Sequence, residues 1–280
     1  MAEVSIIMGV YNTEFSVLKM AVESILSQSF TEIELIICDD GSSNGCYFFL
    51  ESLQKIDKRI ILLRNPKNMR ASFARNKCIQ LATGDFIAIM DADDWSHPTR
   101  LEKQRSFLIT NPKYDFVGTR GCYFFNKIGD LSDNYPFYVF PNKKNFLVTL
   151  PFVHASIMFR RTVLDQMNGY NESKLVNRSE DYDLLMRAYQ RGFVGANLDN
   201  ELYYIRLDKN TYKRRKYRFR INESIVKWNG FSRLGLMPLG ILFALKPLIV
   251  GLIPSEILKY IKKRYIGWLN KKNAKDKKNG

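Results

Sequence analysis

Four apolar runs of strand length alternate with helical patterns in the first third of the chain. The runs cover residues 4–10, 34–38, 60–63 and 86–90, and apolar residues recur at three- and four-residue spacing over 15–27, 46–56 and 70–82. The runs are continuously apolar, which is typical of strands buried on both faces of a sheet. Strand and helix in alternation therefore predict an α/β fold, a mostly parallel Rossmann-like sheet flanked by helices.

Polar side chains follow three of the four predicted strands. Tyr11 follows the first, Asp40 follows the second within Asp-Asp-Gly-Ser, and an acidic run at residues 91–94 follows the fourth. Ligands of open parallel sheets bind beyond the carboxyl ends of the strands, so these side chains are expected to converge on one edge. That edge is the predicted site.

The acidic run points to a divalent cation. Asp91, Asp93 and Asp94 stand at the mouth of a buried strand, where ionised groups need a partner or a metal. Carboxylate oxygens suit Mg²⁺ or Mn²⁺. We predict Asp93 and Asp91 as ligands; Asp94 either shares that role or caps the helix predicted after it.

Further elements are predicted in the remainder of the first 208 residues. A helix is expected over residues 98–110, and a hairpin-like pair over 116–120 and 122–126 with a turn at 127–130. An irregular loop over 133–145 has the length that is typical of substrate-covering loops. A short strand at 156–159 and a helix at 180–191 follow.

Taken in order, the motifs resemble one known family. Over residues 3–206 the chain is similar to the family 2 glycosyltransferases, which have the GT-A fold of nucleotide-diphospho-sugar transferases. The resemblance rests on Ser5-Ile6-Ile7-Met8-Gly9-Val10-Tyr11-Asn12, Ser24-Ile25-Leu26-Ser27-Gln28-Ser29, Asp39-Asp40-Gly41-Ser42, Ala74-Arg75-Asn76, Gly84-Asp85, Asp91-Ala92-Asp93-Asp94 and Glu180-Asp181.

The resemblance implies roles at the acidic positions. Asp181 would take the proton from the acceptor hydroxyl, with Glu180 in support, in a direct displacement that inverts the anomeric carbon. Asp93 would reach the metal, while Asp91, with Ala92, would lie near the ribose or a metal-bound water. A metal bridging the diphosphate would stabilise the leaving group.

The resemblance also implies contacts to the donor nucleotide. Tyr11 would stack on the base, and Asp40 would accept a hydrogen bond from a uracil-like imide, which favours a UDP-sugar. Arg75 would pair either with the donor diphosphate or with an aspartate of the cleft. Trp95 could line the sugar pocket or fill the core, and His154 would contact the acceptor or metal if it is not simply packed.

Charge divides the chain unequally. Residues 1–208 hold 24 Lys or Arg against 25 Asp or Glu, whereas residues 209–280 hold 19 against 3. We therefore expect a catalytic domain at 1–208 and a basic, membrane-associating helical region at 209–280. Residues 234–253 are largely apolar, but Pro238, Lys246 and Pro247 favour broken helices in the plane of an anionic membrane. A nucleic-acid partner is not expected, since such an apolar stretch serves no phosphate backbone.

The predicted function is transfer of a sugar from a UDP-sugar to a saccharide on undecaprenyl diphosphate, in O-antigen or capsule synthesis. The expected location is peripheral, at the cytoplasmic face of the plasma membrane, with reduced thiols. Four cysteines without CxxC spacing and two histidines argue against zinc. A phosphatase or phosphotransferase, a sugar nucleotidyltransferase and a non-catalytic membrane-binding protein remain as alternatives.

Overall fold

A computed structural model describes residues 2–125, 128, 137–207 and 216–253 of the protein. Eight strands in these ranges form one sheet in the order β3-β2-β1-β4-β7-β6-β8-β5. Their bounds are β1 Val4–Val10, β2 Ile33–Asp39, β3 Ile60–Arg64, β4 Phe86–Asp91, β5 Trp95–Ser96, β6 Phe116–Phe124, β7 Met158–Arg160 and β8 Gly195–Arg206.

The first half of the sheet confirms the predicted parallel arrangement. Strands β3, β2, β1 and β4 run parallel, and each lies within one residue of the predicted bounds. The last residues of β1, β2 and β4 therefore lie at the same edge. Val10 is paired with Asp39, and the preceding Gly9 with Asp91.

The second half of the sheet is mixed and departs from the prediction. The expected hairpin-like pair is wrong, because residues 116–124 form the single strand β6. This strand runs parallel to β8, with a register shift between Thr119 and Gly121 that interrupts its regular pairing. Apart from Ile128, the predicted turn at 127–130 lies outside the described residues. The strand predicted at 156–159 is β7, and a 3₁₀ turn at His154–Ser156 precedes it.

Helices cover both faces of the sheet. Because side chains alternate along a strand, neighbouring residues of β1 enter different cores. Ile6 lies in the buried cluster that contains Leu18 and Leu101, whereas Ile7 lies in the cluster that contains Cys78 and Leu184. The helix bounds are α1 Phe15–Leu26, α2 Cys46–Ile56, α3 Ala71–Leu81, α4 Arg100–Thr110, α5 Asn145–Val148, α6 Arg161–Met167, α7 Glu180–Gln190, α8 Tyr217–Arg233 and α9 Gly240–Leu252.

The described part of the basic C-terminal region packs onto the rest of the chain. Val226 and Phe231 of α8 and Ala244 of α9 are buried in the same apolar cluster as Leu184 of α7. The apolar stretch begins outside a helix and then forms α9, which continues through Pro247 rather than breaking there. No helix of the described residues has the length and apolarity needed to cross a bilayer. The boundary expected at residue 208 and the tail beyond residue 253 lie outside the described residues.

Candidate active site

The loop after β2 is organised by Asp40. Its carboxylate is buried and accepts hydrogen bonds from Asn65 Nδ2 at 2.7 Å and from the backbone N–H groups of Met69 and Arg70 at 2.8 Å each. These bonds hold the segment that leads into α3, where Arg70 adopts a φ of +81°. Asp40 therefore anchors this loop, a role that the sequence did not indicate, and its contact to a base stays a prediction.

The loop after β1 lies beside the loop after β2. Asn12 connects the two: its backbone N–H donates to Ser42 Oγ, and its Oδ1 accepts from the backbone N–H of Ser43, both at 2.9 Å. Tyr11 precedes this connection with its side chain 51% exposed. The ring is thus held at the carboxyl edge of the sheet and keeps a surface on which a planar base can stack.

The acidic run separates into outward and inward carboxylates. Asp93 is exposed, whereas Ala92 and Asp94 are buried. Asp94 Oδ1 accepts a hydrogen bond from the backbone N–H of Arg206 at 2.9 Å and so fixes the end of β8. It does not cap α4, whose N-cap residue is Thr99. Burial raises the pKa of Asp94 well above its ordinary value, and the charges of Asp93 and Asp91 raise it further.

These carboxylates suit a metal ion whose remaining ligands are oxygens of the substrate. The described ranges hold no group of three or more His, Cys, Asp or Glu side chains that could form a complete cage. Mg²⁺, however, is commonly held by one or two carboxylates together with phosphates and water. Asp93 is exposed and the Asp91 side chain is 37% exposed. The mutual repulsion evident in the raised pKa of Asp94 is relieved by a cation, so the residues suit one.

Arg75 connects the acidic run to the start of α7. Its Nη2 lies 2.7 Å from Asp91 Oδ1, and its Nη1 lies 3.9 Å from Glu180 Oε1. Arg75 Nε and Glu180 Oε2 are buried without a hydrogen-bond partner in the structure. Of the two partners predicted for Arg75, the structure shows the aspartate. The unpaired Nε and Oε2 leave hydrogen-bonding capacity at this point of the cleft.

Asp181 occupies the first turn of α7, next to Glu180. Its Oδ1 accepts a hydrogen bond from the backbone N–H of Tyr182 at 2.8 Å. Burial raises the pKa of Asp181 to about 7, and the charge of Glu180 adds to the effect, while Arg75 opposes it. The favourable helix dipole does not offset this burial. A carboxylate with a pKa near neutrality can accept a proton and retain it through a reaction.

His154 lies behind this cluster. Its Nε2 is 2.9 Å from the hydroxyl oxygen of Tyr170, whose ring centre lies 5.6 Å from the guanidinium carbon of Arg75. Burial lowers the pKa of His154 to about 3, and the nearby Arg75 charge lowers it further, so the imidazole is neutral. The structure thus places His154 among the predicted site residues, and its contact to acceptor or metal stays a prediction.

Trp95 packs against a neighbouring strand. It lies in β5, where its backbone pairs with that of Tyr204 in β8, and the two rings meet edge to face with centres 5.1 Å apart. A second edge contact, at 6.2 Å, is made with His97. The side chain remains partly exposed, so both the core role and the lining of a sugar pocket are compatible with its position.

Two residues of this cluster were missed by sequence reasoning. Asn76 Oδ1 accepts from the backbone N–H of Tyr170 at 2.7 Å, and Asn76 Nδ2 donates to the Tyr170 carbonyl at 2.8 Å. The turn before Tyr170 contains Gly169 at a φ of +64°, with no room for a Cβ beside Asn76. The Asn168-Gly169 pair after α6 is a readable helix-stop signal. Its contact with α3, however, joins positions more than ninety residues apart, which local patterns do not reveal.

Comparisons with known proteins agree on one family. The sequence profile described as "Glycosyl transferase family 2" matches residues 5–167. EpsE of Bacillus subtilis, whose name describes it as a glycosyltransferase, is 38% identical over 264 residues, which cover 94% of each chain.

A more distant relative and a solved structure extend the comparison. The Escherichia coli protein WfaP, named as a UDP-Glc:alpha-D-GlcNAc-diphosphoundecaprenol beta-1,3-glucosyltransferase, is 28% identical over 223 residues, covering 80% of this chain and 84% of its own. The structure of S. aureus TarS 1–349 in complex with UDP matches with a TM-score of 0.64 at 18% identity, covering 88% of this chain and 69% of that one. At that identity the likeness supports the GT-A fold alone.

Proposed function

This chain belongs to glycosyl transferase family 2, and we propose that it transfers a sugar from a UDP-sugar to a saccharide carried on undecaprenyl diphosphate. Family membership favours a glycosyltransferase over the phosphatase, nucleotidyltransferase and non-catalytic alternatives. WfaP is named for a UDP-sugar and for an acceptor of this class, which supports extending both to this chain. The work of the enzyme would be the assembly of surface polysaccharide.

One observation carries the mechanism: a partly buried aspartate with a pKa of about 7 lies at the start of a helix that Arg75 joins to the acidic run. In the proposed reaction Asp181 removes the proton from the acceptor hydroxyl while the hydroxyl oxygen attacks the anomeric carbon. The bond from that carbon to the diphosphate oxygen breaks, and the nucleoside diphosphate departs. Attack from the side opposite the leaving group inverts the configuration.

The remaining residues serve the donor. Tyr11 would stack on the base, and Asp40 would hold the loop that borders it while accepting a hydrogen bond from the imide N–H. Asp93, with Asp91, would hold Mn²⁺ or Mg²⁺. Such an ion, when bound, neutralises charge that develops on the diphosphate. Arg75 keeps Asp91 in place and adds a positive charge beside it.

Membrane association completes the proposal. A lipid-linked acceptor is presented at a membrane surface, and the basic excess of residues 209–280 suits the anionic lipids of the cytoplasmic leaflet. We therefore place the enzyme peripherally at that face. Trp95 and His154 would border the acceptor side of the cleft.

The division of roles is tested by two isosteric variants. Asp181→Asn is expected to abolish transfer while leaving UDP binding nearly unchanged, because the amide keeps the shape and loses the base. Asp93→Asn is expected to weaken UDP binding in the presence of Mn²⁺ and to leave metal-independent binding unchanged. Transfer is followed as UDP release with an undecaprenyl-diphosphate-linked acceptor, and binding by calorimetric titration with Mn²⁺ or EDTA. Equal loss of UDP binding in both variants would show that the assigned roles are wrong.

A further inference from the structure

The outward face of α9 is apolar. Leu239, which precedes the helix, and Leu242, Leu245, Ile249 and Leu252 are between 41% and 73% exposed. Their spacing of three and four residues places them on one side of the helix, and we call them the apolar stripe. Exposed leucines are common when scattered, but four aligned aliphatic side chains along a helix of 13 residues, preceded by a fifth, are not.

The opposite face of α9 is buried against the protein. Gly240, Ala244 and Pro247 are its buried residues, and they are small or compact. A Cβ on Gly240 would lie only 2.9 Å from the Phe231 Cβ of α8, so the two helices are in close contact. The helix therefore cannot rotate to bury the stripe without losing this contact. Phe243 also packs against the core from this inner face, so α9 carries large apolar side chains on its outer face in addition to those that the protein buries.

Exposed cations lie on the same pair of helices as the apolar stripe. Lys216, Arg218, Arg233 and Lys246 are exposed. Glu223 is the one acidic residue in 216–253, and its charge is already matched by Arg220 at 3.1 Å and Lys227 at 2.9 Å. An apolar row on a pair of helices with an excess of basic residues matches the cross-section of an anionic bilayer, whose acyl region lies beneath negatively charged headgroups. A nucleic acid would match the positive charge but not the apolar row.

We propose that the apolar stripe is a docking surface for an anionic lipid bilayer and inserts with α9 lying in the plane of the interface. The proposal deepens the proposed function and depends on it for the identity of the acceptor. It names the helix and the side chains that enter the lipid. At 13 residues, α9 is shorter than a spanning helix, which agrees with an in-plane position.

The docking surface lies on the structural unit that supports the predicted base. Helices α8 and α9 form an antiparallel pair, with Gly251 near Tyr217 and Gly240 near Phe231. From α8, Asn222 Nδ2 donates to the Asn177 carbonyl at 3.3 Å, and Lys227 Nζ lies 4.8 Å from the ring centre of Tyr182.

Tyr182 is the residue next to Asp181. A bilayer bound to α9 is therefore connected through α8 to the start of α7, where an acceptor emerging from that bilayer is to be deprotonated.

Vesicle flotation with the full-length protein tests the docking surface. The variant carries Leu242→Glu and Ile249→Glu, and the matched control carries Ile56→Glu, which replaces an 82% exposed isoleucine at the end of α2. On vesicles of phosphatidylcholine with phosphatidylglycerol, we expect the double variant to bind at least about tenfold more weakly than the natural sequence, because two apolar side chains no longer enter the lipid. The control is expected to bind like the natural sequence, and all three less tightly to phosphatidylcholine alone.

Three results would overturn the proposal. In the first, the double variant binds vesicles as tightly as the natural sequence, and in the second, the Ile56→Glu control loses as much vesicle binding as the double variant. In the third, the natural chain self-associates through the stripe and the double variant is monomeric. Circular dichroism and a cooperative thermal transition verify that each variant is folded, and Leu242→Ser with Ile249→Ser replaces the glutamates if they disturb folding.

The outcome is separable from that of the proposed function. If the double variant loses vesicle binding while the natural protein transfers no sugar, the docking surface stands and the transferase assignment falls. If the natural protein transfers sugar to a lipid-linked acceptor but does not bind vesicles, the transferase assignment stands and the docking surface falls.

Discussion

Replacing Asp181 by Asn is expected to inactivate the enzyme and to stabilise it above neutral pH. The pKa of Asp181 in the folded chain is about 7, against an ordinary 3.8, chiefly because the group is buried. This difference corresponds to about 4 kcal/mol for keeping the carboxylate ionised in the folded state. The side chain retains partial contact with solvent, so screening reduces the figure, and we expect about 2 kcal/mol.

The sign of the pH dependence follows from the raised pKa. The contribution that Asp181 makes to stability is fully present below pH 3.8 and is lost as the pH rises through about 7. An asparagine has no such loss, and its amide oxygen can still accept from the Tyr182 N–H. The stability of the variant relative to the natural protein should therefore grow between pH 4 and 7 and become constant above that range.

Thermal unfolding at pH 5 and pH 8 measures this difference. About 2 kcal/mol in a chain of this size corresponds to a rise in Tm of roughly 4–8 °C at pH 8, with a smaller rise at pH 5. Transfer activity should fall by a factor of roughly 10² to 10⁴, the usual contribution of a general base. A stability gain without pH dependence, or no gain at pH 8, would refute the raised pKa.

Asp183→Asn is the matched control on the same helix. Asp183 Oδ2 lies 2.7 Å from Arg187 Nε, and its side chain is 11% exposed. Removing its charge leaves that arginine without its ion-pair partner, so this variant is expected to lose about 1–3 kcal/mol at pH 8. If Asp181→Asn stabilises the protein and Asp183→Asn destabilises it, the stability gain is not a general effect of removing negative charge at the start of the helix.

Three further predictions concern the site and its frame. Asp93→Asn should raise the Mn²⁺ concentration needed for half-maximal UDP binding at least about tenfold, measured by calorimetry, because an exposed carboxylate ligand is lost. Glu180→Gln should move the acid limb of kcat against pH below neutrality, because the Glu180 charge raises the pKa of Asp181; an unchanged limb would contradict the coupling. Gly169→Ala should cost about 2 kcal/mol or more in urea unfolding, because its φ is +64° and a Cβ would lie 2.4 Å from Asn76 Oδ1.

Local patterns predicted the donor half of the fold well. The strands β1 to β4 are continuous apolar runs, so their position is set by residues that are neighbours in sequence. Because these strands are parallel, their carboxyl ends lie at one edge of the sheet, and this places Tyr11, Asp40 and Asp91 at that edge. Strand β8 was missed, since its middle is exposed and its apolar residues do not alternate regularly.

The contacts within the site were beyond prediction because they depend on how distant elements are oriented. Arg75 reaches both Asp91 and Glu180 because its side chain lies between the end of β4 and the start of α7, two elements that are far apart in sequence. The inward direction of Asp94 depends on β8, whose Arg206 N–H it binds. Resemblance to the family supplied the identity of these residues. The structure adds the charge environment, which raises the pKa of Asp181 to about 7.

The C-terminal region shows why charge alone is an incomplete guide to domain organisation. Its composition suggests an appendage, yet α8 and α9 share a buried cluster with α7, so removing residues 209–280 would expose Leu184 and its neighbours to water. Deletion would then disturb the base together with any membrane contact, and a loss of activity would have two explanations. The two faces of α9 resolve this difficulty. Its inner face stabilises the fold, while its outer face carries the apolar stripe, so substitutions such as Leu242→Glu are expected to weaken vesicle binding and to leave the support of Asp181 in place.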